Sequence, residues 1–260
     1  MATWLLEREV FPDGHAALAG AVEAAGGTVV AWSDEWWLTE RWPRLADGVV
    51  VFHGSLGNAD RIVRERPWTP GAFCATDRFA CSAWWPVRPD LLGVPAYDLT
   101  TVGELVRAGP PESFGDRVFV RPDSPLKPFS GRVLARDAVT LAALDHGFYY
   151  DDLDLAVLVT PTVEIGPEWR FVIAQGEVVA GSGYQPDGRQ AGETLDPTHE
   201  AWRFAADVAP SYTPEAIYVL DVCETPDGLR VLELNPFSGA DLYACDRAAV
   251  VAAVHRVTAG

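Results

Sequence analysis

The stretch IYVLDVCETPDGLRVLELNPFSG, residues 217–239, narrows what this chain can fold into, because two β-rich runs flank the turn signal Thr-Pro-Asp-Gly. A β-hairpin follows, and its register can be argued. With Pro226, Asp227 and Gly228 as a three-residue loop and Gly228 left-handed, Thr225 faces Leu229. Cys223 then faces Val231 and Asp221 faces Glu233, and alternation puts Asn235 on that same face. Leu220, Val222, Leu232 and Leu234 form the opposite, apolar face. A two-residue Asp-Gly turn would split Asp221 from Glu233 and break that apolar layer, so the three-residue loop is expected.

Two carboxylates placed opposite one another repel, which a purely structural hairpin avoids. A divalent cation removes the conflict. Asp221, Glu233 and the amide oxygen of Asn235 are hard oxygen donors, the kind Mg²⁺ takes beside water and phosphate. The alternative is an exposed acidic hairpin face in an acid-rich protein.

The 260 residues suffice for one large domain or two small ones. Up to residue 97, short apolar strands (TWLLER, TVVAW, GVVVF) alternate with helical stretches, which argues for a parallel sheet with helices on its faces. Asp13 is expected to cap the first helix, which Gly26 and Gly27 end. His53, Ser55 and Asn58 follow a strand end, where such sheets bind ligands, although turn and cap roles are their commoner use. Eight of the ten tryptophans fall within the first 85 residues, and packing is the favoured role for them. Near residue 97 the texture changes. Thr101 and Glu104 suggest a capping box, and from Arg117 onward strands dominate.

The net charge is −17, of which residues 98–260 carry −13, so nucleic acid is not an expected partner. Cysteines 74, 81, 223 and 245 form no C-x-x-C pair and read as buried thiols. The N-terminus lacks a basic, then apolar, leader pattern, and no apolar run is long enough to span a bilayer; the chain reads as cytosolic.

Of twenty basic residues, nineteen are arginine; the exception is Lys127, in the loop of VFVRPDSPLKPFSGRV. The strand RVFVRP sets Arg117, Phe119 and Arg121 on one side, and Ser130 and Gly131 close the loop with a hydroxyl and backbone N–H groups suited to phosphate. A second strand, EWRFVIA, places Glu168 and Arg170 together. Lysine is a compact point charge where arginine offers a broad fork, so a narrow anion pocket would explain the exception; chance in an arginine-biased composition is the alternative.

Taken together, strand-Arg-Pro, the loop lysine, EWR and the terminal Asp…Glu-x-Asn resemble the ATP-grasp superfamily, in its divergent branch named for a pair of arginines and a lysine. The resemblance covers about residues 98–260. It implies that the N-terminal parallel α/β domain read above, residues 1–97, is followed by an ATP-grasp domain of two antiparallel-sheet subdomains with ATP between them. Asp221, Glu233 and Asn235 would hold Mg²⁺. Lys127 would contact the nucleotide phosphates with Arg121 nearby, beside Ser130 and Gly131. Thr162, Val163 and Glu164 would form the adenine hinge, Glu168 would bind ribose, and Arg170 would face the transferred phosphate or the carboxylate substrate. Two departures stand out: common members carry lysine where Arg121 stands, and Pro122, Pro125 and Pro128 stiffen a loop usually richer in glycine.

The activity implied is an ADP-forming ligase that joins a carboxylate to an amine through an acyl phosphate, on small-molecule or peptide substrates. A kinase that stops at the phosphorylated substrate is a second reading. A non-catalytic nucleotide-binding module, its tryptophan-rich part engaging a protein partner, is a third. Related enzymes often pair, so a homodimer is one form to test.

Overall fold

Runs three to nine residues long, most of them rich in β-branched residues, make the strands of this protein, and alanine-rich or capped stretches make its helices. The computed structural model describes residues 2–45, 48–145, 152–184 and 191–259. In chain order the elements begin with β1 (Thr3–Leu6), α1 (Pro12–Ala24), β2 (Thr28–Ala31), α2 (Glu35–Thr39), β3 (Val49–His53), α3 (Leu56–Glu65) and β4 (Thr69–Gly71). Next come α4 (Thr76–Phe79), α5 (Cys81–Trp84), β5 (Asp98–Thr101), α6 (Val102–Ala108), β6 (Arg117–Pro122), β7 (Arg132–Ala135) and β8 (Ala156–Pro161). The last part holds β9 (Glu168–Ala174), β10 (Glu177–Tyr184), β11 (Ala191–Leu195), α7 (Glu200–Val208), β12 (Ile217–Thr225), β13 (Gly228–Pro236) and α8 (Arg247–Ala259).

The first sheet is parallel, ordered β2-β1-β3-β4. Two antiparallel sheets follow, β11-β10-β9-β12-β13 and β5-β8-β6-β7. The expected mixed α/β class, with a parallel sheet first and antiparallel sheets after it, is the class observed.

Packing divides the chain into two compact units. One gathers residues 1–75, 167–223 and 232–260; the other holds residues 76–166 and 224–231. In the first unit, Trp4 and Val51 of the parallel sheet share one apolar core with Val172, Ile217 and Val219 of the antiparallel sheet and with Val250, Val251 and Val254 of α8. The second unit has its own core, built on Val102, Leu105, Val118, Val120, Val157 and Val159. Strand β6 alternates as its sequence requires, Val118 and Val120 buried, Arg117 exposed, Phe119 and Arg121 half-buried.

Local signals were partly met. Thr101 caps α6, its hydroxyl accepting the Glu104 N–H at 3.2 Å, while the Glu104 carboxylate turns to the Thr100 hydroxyl rather than back to the cap. Asp13 does not cap α1: the helix starts at Pro12, whose fixed φ suits that position, and Asp13 sits in the first turn facing the positive helix end. Helix α3 starts at Leu56 because Ser55 caps it, its hydroxyl accepting the Asn58 N–H at 3.4 Å.

The tryptophans pack on one another. Trp32, Trp36, Trp37, Trp42 and Trp68 meet mostly edge to face, and the guanidinium groups of Arg61 and Arg66 lie 3.9 Å over the rings of Trp37 and Trp42. All four cysteines are buried. Burial raises the Cys74 thiol and pushes Cys245 up to about 12, so neither is primed as a nucleophile. No helix among the described residues is long and apolar enough to cross a membrane.

Candidate active site

The hairpin β12–β13 turns as its sequence requires. Gly228 takes φ = 96°, whereas Pro226 and Asp227 stay out of the left-handed region, which rules out a two-residue type I′ turn. The Thr225 hydroxyl donates to the Gly228 carbonyl at 2.9 Å and accepts the Asp227 N–H. On the apolar face Leu220, Val222 and Leu234 are buried, and Leu232 is half-buried. On the other face Asn235 Nδ2 donates to Asp221 Oδ2 at 2.9 Å, which puts the two on one side of the sheet.

That side is not an exposed acidic surface. Asp221 and Asn235 are 8% and 6% exposed. Strand β9 lies beside β12 with Arg170 opposite Asp221 and Glu168 opposite Cys223. Arg170 grips Asp221 with two parallel bonds, Nε to Oδ1 and Nη2 to Oδ2, both 2.8 Å. Its third donor, Nη1, reaches the Asp241 carbonyl at 2.9 Å. The Tyr243 ring covers the guanidinium at 4.6 Å, and the Tyr184 ring lies 5.3 Å from that of Tyr243.

A cavity of about 180 Å³ opens here, lined by Glu168, Arg170, Asp221, Glu233, Tyr184 and Tyr243 among others. The segment after β13 is pinned around it. Arg247 donates to the carbonyls of Leu242, Tyr243 and Cys245 at 3.1, 2.6 and 2.7 Å, and Ser182 accepts the Ala244 N–H. Held this way, Tyr243 keeps a left-handed backbone (φ = 43°), a conformation that bulky residues rarely adopt.

Charge in the cavity is unbalanced, three carboxylates to one guanidinium. Burial and then the neighbouring Asp221 raise the Glu168 carboxyl above its ordinary range, Arg170 partly offsets them, and Glu233 adds to the rise. Burial works against the charged form of Arg170, but Asp221 outweighs it and holds the guanidinium above its usual value. Burial likewise raises the Tyr243 phenol, opposed by Arg170. Carboxylates lining a polar cavity with surplus negative charge suit a hard divalent cation, and Asn235 lies beside one of them, bonded to Asp221. Among the described residues no cluster of three His, Cys, Asp or Glu side chains is arranged as a metal site.

The other expected residues lie elsewhere. Lys127 is exposed in the turn after β6, with φ = 49° and its N–H on the Ser124 carbonyl at 3.2 Å. Arg121 is half-buried, and its Nε approaches the Pro122 carbonyl at 3.4 Å. Ser130 and Gly131 are exposed; a Cβ at Gly131 would come within 2.5 Å of the Phe119 ring, so packing alone demands glycine there. Thr162, Val163 and Glu164 follow β8 in the same unit as Lys127, with Thr162 and Glu164 exposed. Tyr184, Tyr243 and Arg247 were not foreseen.

His53, Ser55 and Asn58 have structural roles. Asn58 accepts the Trp37 indole N–H and donates to Glu7 and Asp34. His53 lies 3.0 Å from the Ala240 carbonyl; since a carbonyl only accepts, neutral His53 carries its proton on Nε2. Burial lowers His53 to about 4, against the opposing bond to Ala240, with Arg247 adding to the drop. Between pH 6.5 and 4 the unfolded chain therefore takes up the proton first, and stability falls as the pH falls through that window, by about 3 kcal/mol from this residue. Urea unfolding of the wild type and His53→Gln, stepped from pH 7 to 4, should show a shallower pH slope in the variant, which keeps a donor but cannot titrate.

Comparison with known families decides what this arrangement belongs to. The ATP-grasp domain of family 3, in the clade named for two arginines and a lysine, matches residues 80–254. The chain belongs to that family. Among curated proteins none matches it in sequence. Solved structures match it in fold, over nearly full length. A RimK domain ATP-grasp protein from Sphaerobacter thermophilus is 17% identical with a TM-score of 0.64, covering 99% of this chain and 100% of that one. D-cycloserine synthetase DcsG is 18% identical at 0.59, covering 99% and 100%. The ATP-grasp ligase PsnB, complexed with precursor peptide PsnA2 and AMPPNP, is 13% identical at 0.59, covering 99% and 97%. At such identities the likeness concerns the fold, and this ATP-grasp protein shares it from end to end.

Proposed function

We propose that this ATP-grasp protein is an ADP-forming ligase that joins a carboxylate to an amine. The observation that carries the reading is the buried Asp221–Asn235 pair beside Glu233 and Arg170, at a polar cavity lined by more carboxylates than guanidinium groups. Its family membership and the ligases of the same fold, PsnB and D-cycloserine synthetase among them, support an ATP-dependent ligase.

In this reading Asp221, Glu233 and Asn235 hold Mg²⁺, which when bound neutralises charge on the phosphate groups. Arg170 offers a planar fork to the transferred phosphoryl group or to the substrate carboxylate, and Glu168 takes the ribose hydroxyls. Arg121, Lys127, Ser130 and Gly131 are assigned to the nucleotide phosphates, and Thr162, Val163 and Glu164 to the adenine, by the family pattern. The substrate carboxylate attacks the γ-phosphorus, the bond to the β-phosphate oxygen breaks, and ADP leaves. The amine then attacks the acyl carbon, phosphate departs, and the amine gives up a proton. A cytoplasmic setting goes with this use of ATP.

The test is ATP-dependent release of ADP and phosphate with Mg²⁺ against a panel of amino acids and short peptides, beside Lys127→Ala. Release that requires both a carboxylate and an amine, and falls in the variant, is the expected result. ADP formation without any amine would replace the ligase with a kinase. Binding of ATP with no turnover on any panel member would favour a binding module; against it, the tryptophans such a module would present are largely spent on one another.

A further inference from the structure

The grip of Arg170 on Asp221 has a consequence for how the proposed metal site is filled. A carboxylate offers about four lone-pair positions. Asp221 Oδ2 already accepts two donors, Arg170 Nη2 and Asn235 Nδ2, and Oδ1 accepts Arg170 Nε. Asn235 thus turns its N–H group, not its oxygen, toward Asp221. Arg170 is held on every side, by Asp221 at two atoms, by the Asp241 carbonyl at the third and by the Tyr243 ring on its face. Its side chain is 14% exposed and that of Asp221 12%, so bulk water screens the pair little. A cation approaching Asp221 meets a carboxylate whose charge is spent and a guanidinium that repels it.

We propose that Arg170 is an internal counter-ion that competes with the divalent cation for Asp221, so that the cation binds well only together with the nucleotide. The phosphates supply what the cation alone cannot, a second anionic partner that suits a guanidinium fork. Metal and nucleotide then favour one another through a single residue, and the coupling is reciprocal. The cation is kept away from Asp221 until there are phosphates to neutralise. The inference rests on the metal assignment proposed above.

Binding of Mn²⁺, followed as loss of the free-ion EPR signal, tests it without turnover. Arg170→Met should bind Mn²⁺ alone at least about tenfold more tightly than the wild type, as expected when one repelling charge is removed. Adding Asp221→Asn to that variant should cancel the gain. Wild type given Mn²⁺ and ADP should retain the ion, and Asp221→Asn should not. If that last contrast holds while Arg170→Met binds Mn²⁺ no better than wild type, the competition is overturned and the metal assignment stands. If Asp221→Asn holds Mn²⁺ and ADP as the wild type does, the metal assignment falls and the competition with it. Should Arg170→Met fail to fold, the wild type still decides. In ¹⁵N-arginine-labelled protein the Arg170 Nε–Hε signal, identified by its absence in Arg170→Lys, should shift on saturation with Mg²⁺ and ADP but not with Mg²⁺ alone. A signal unchanged under both conditions overturns the proposal.

Discussion

Glu233→Gln is expected to cut ADP release on an active substrate pair by about 10²–10³-fold, the usual cost of losing one group aimed at developing charge. The same change should leave the unfolding midpoint in urea unaltered or slightly raised. Glutamine keeps the volume of the half-buried side chain, so packing around Leu234 and the cavity wall survives. What disappears is one negative charge from a cavity that also contains Glu168 and Asp221, where Glu233 raises the Glu168 carboxyl. Repulsion in the protein alone therefore falls while the anionic donor set for the cation shrinks. A coupled ADP assay beside urea unfolding separates the two effects. Turnover retained at the wild-type level would sink the role given to Glu233, whatever the stability.

The second large effect concerns stability. Arg170→Ala and Asp221→Ala should each cost about 3–5 kcal/mol, because each leaves its former partner charged and buried. The double variant should cost much less than the sum, since no uncompensated charge remains. Replacing the pair by Leu and Met, which refill the volume, should recover most of the loss. Urea unfolding of the four proteins closes the cycle. Additive losses would mean that the two residues stabilise the sheet independently, and the counter-ion role would lose its basis. High salt should change the result little, because the pair is shielded from solvent.

Much of this site could be read from the chain because it depends on local rules. The turn at Gly228, the alternation in β6 and β9 and the shared face of Asp221 and Asn235 follow from a period of two and one glycine. What could not be read depends on which strands become neighbours. Arg170 meets Asp221 only because β9 lies beside β12, strands separated in sequence by β10, β11 and α7. Tyr184 was hidden by an irregularity. Strands β9 and β10 are joined at Gln175 and Gly176, both left-handed (φ 53° and 82°), and that turn alone would set Ser182 opposite Trp169. A shift in register between Val178 and Ala180 moves it by one, which brings Ser182 opposite Arg170 and Tyr184 opposite Glu168. Nothing in EVVAGSGY announces that shift. Tyr243 sits in an irregular segment with no period to follow, and Arg247, the first residue of α8, reaches back to that segment's carbonyls, a contact no helical period announces. Lys127 was singled out by composition, and its left-handed backbone in a proline-flanked turn is a conformation no composition count reveals.

The core that joins the parallel sheet to α8 also sets a timetable for synthesis. Trp4 donates its indole N–H toward His255 at 3.4 Å, across a separation of 251 residues, and Val22 and Leu18 of α1 share their core with Val250 and Val254. A growing chain that has emerged only as far as β13 has made both sheets of this unit yet exposes the apolar surface that α8 will cover. At about 5–20 residues per second, the first strand waits many seconds for its last partner. Such distant contacts make for slow folding, because a long loop must close before they form. The apolar faces of α1, the parallel sheet and β9, β10 and β12 thus stay uncovered longest, and loss of α8 would leave them uncovered.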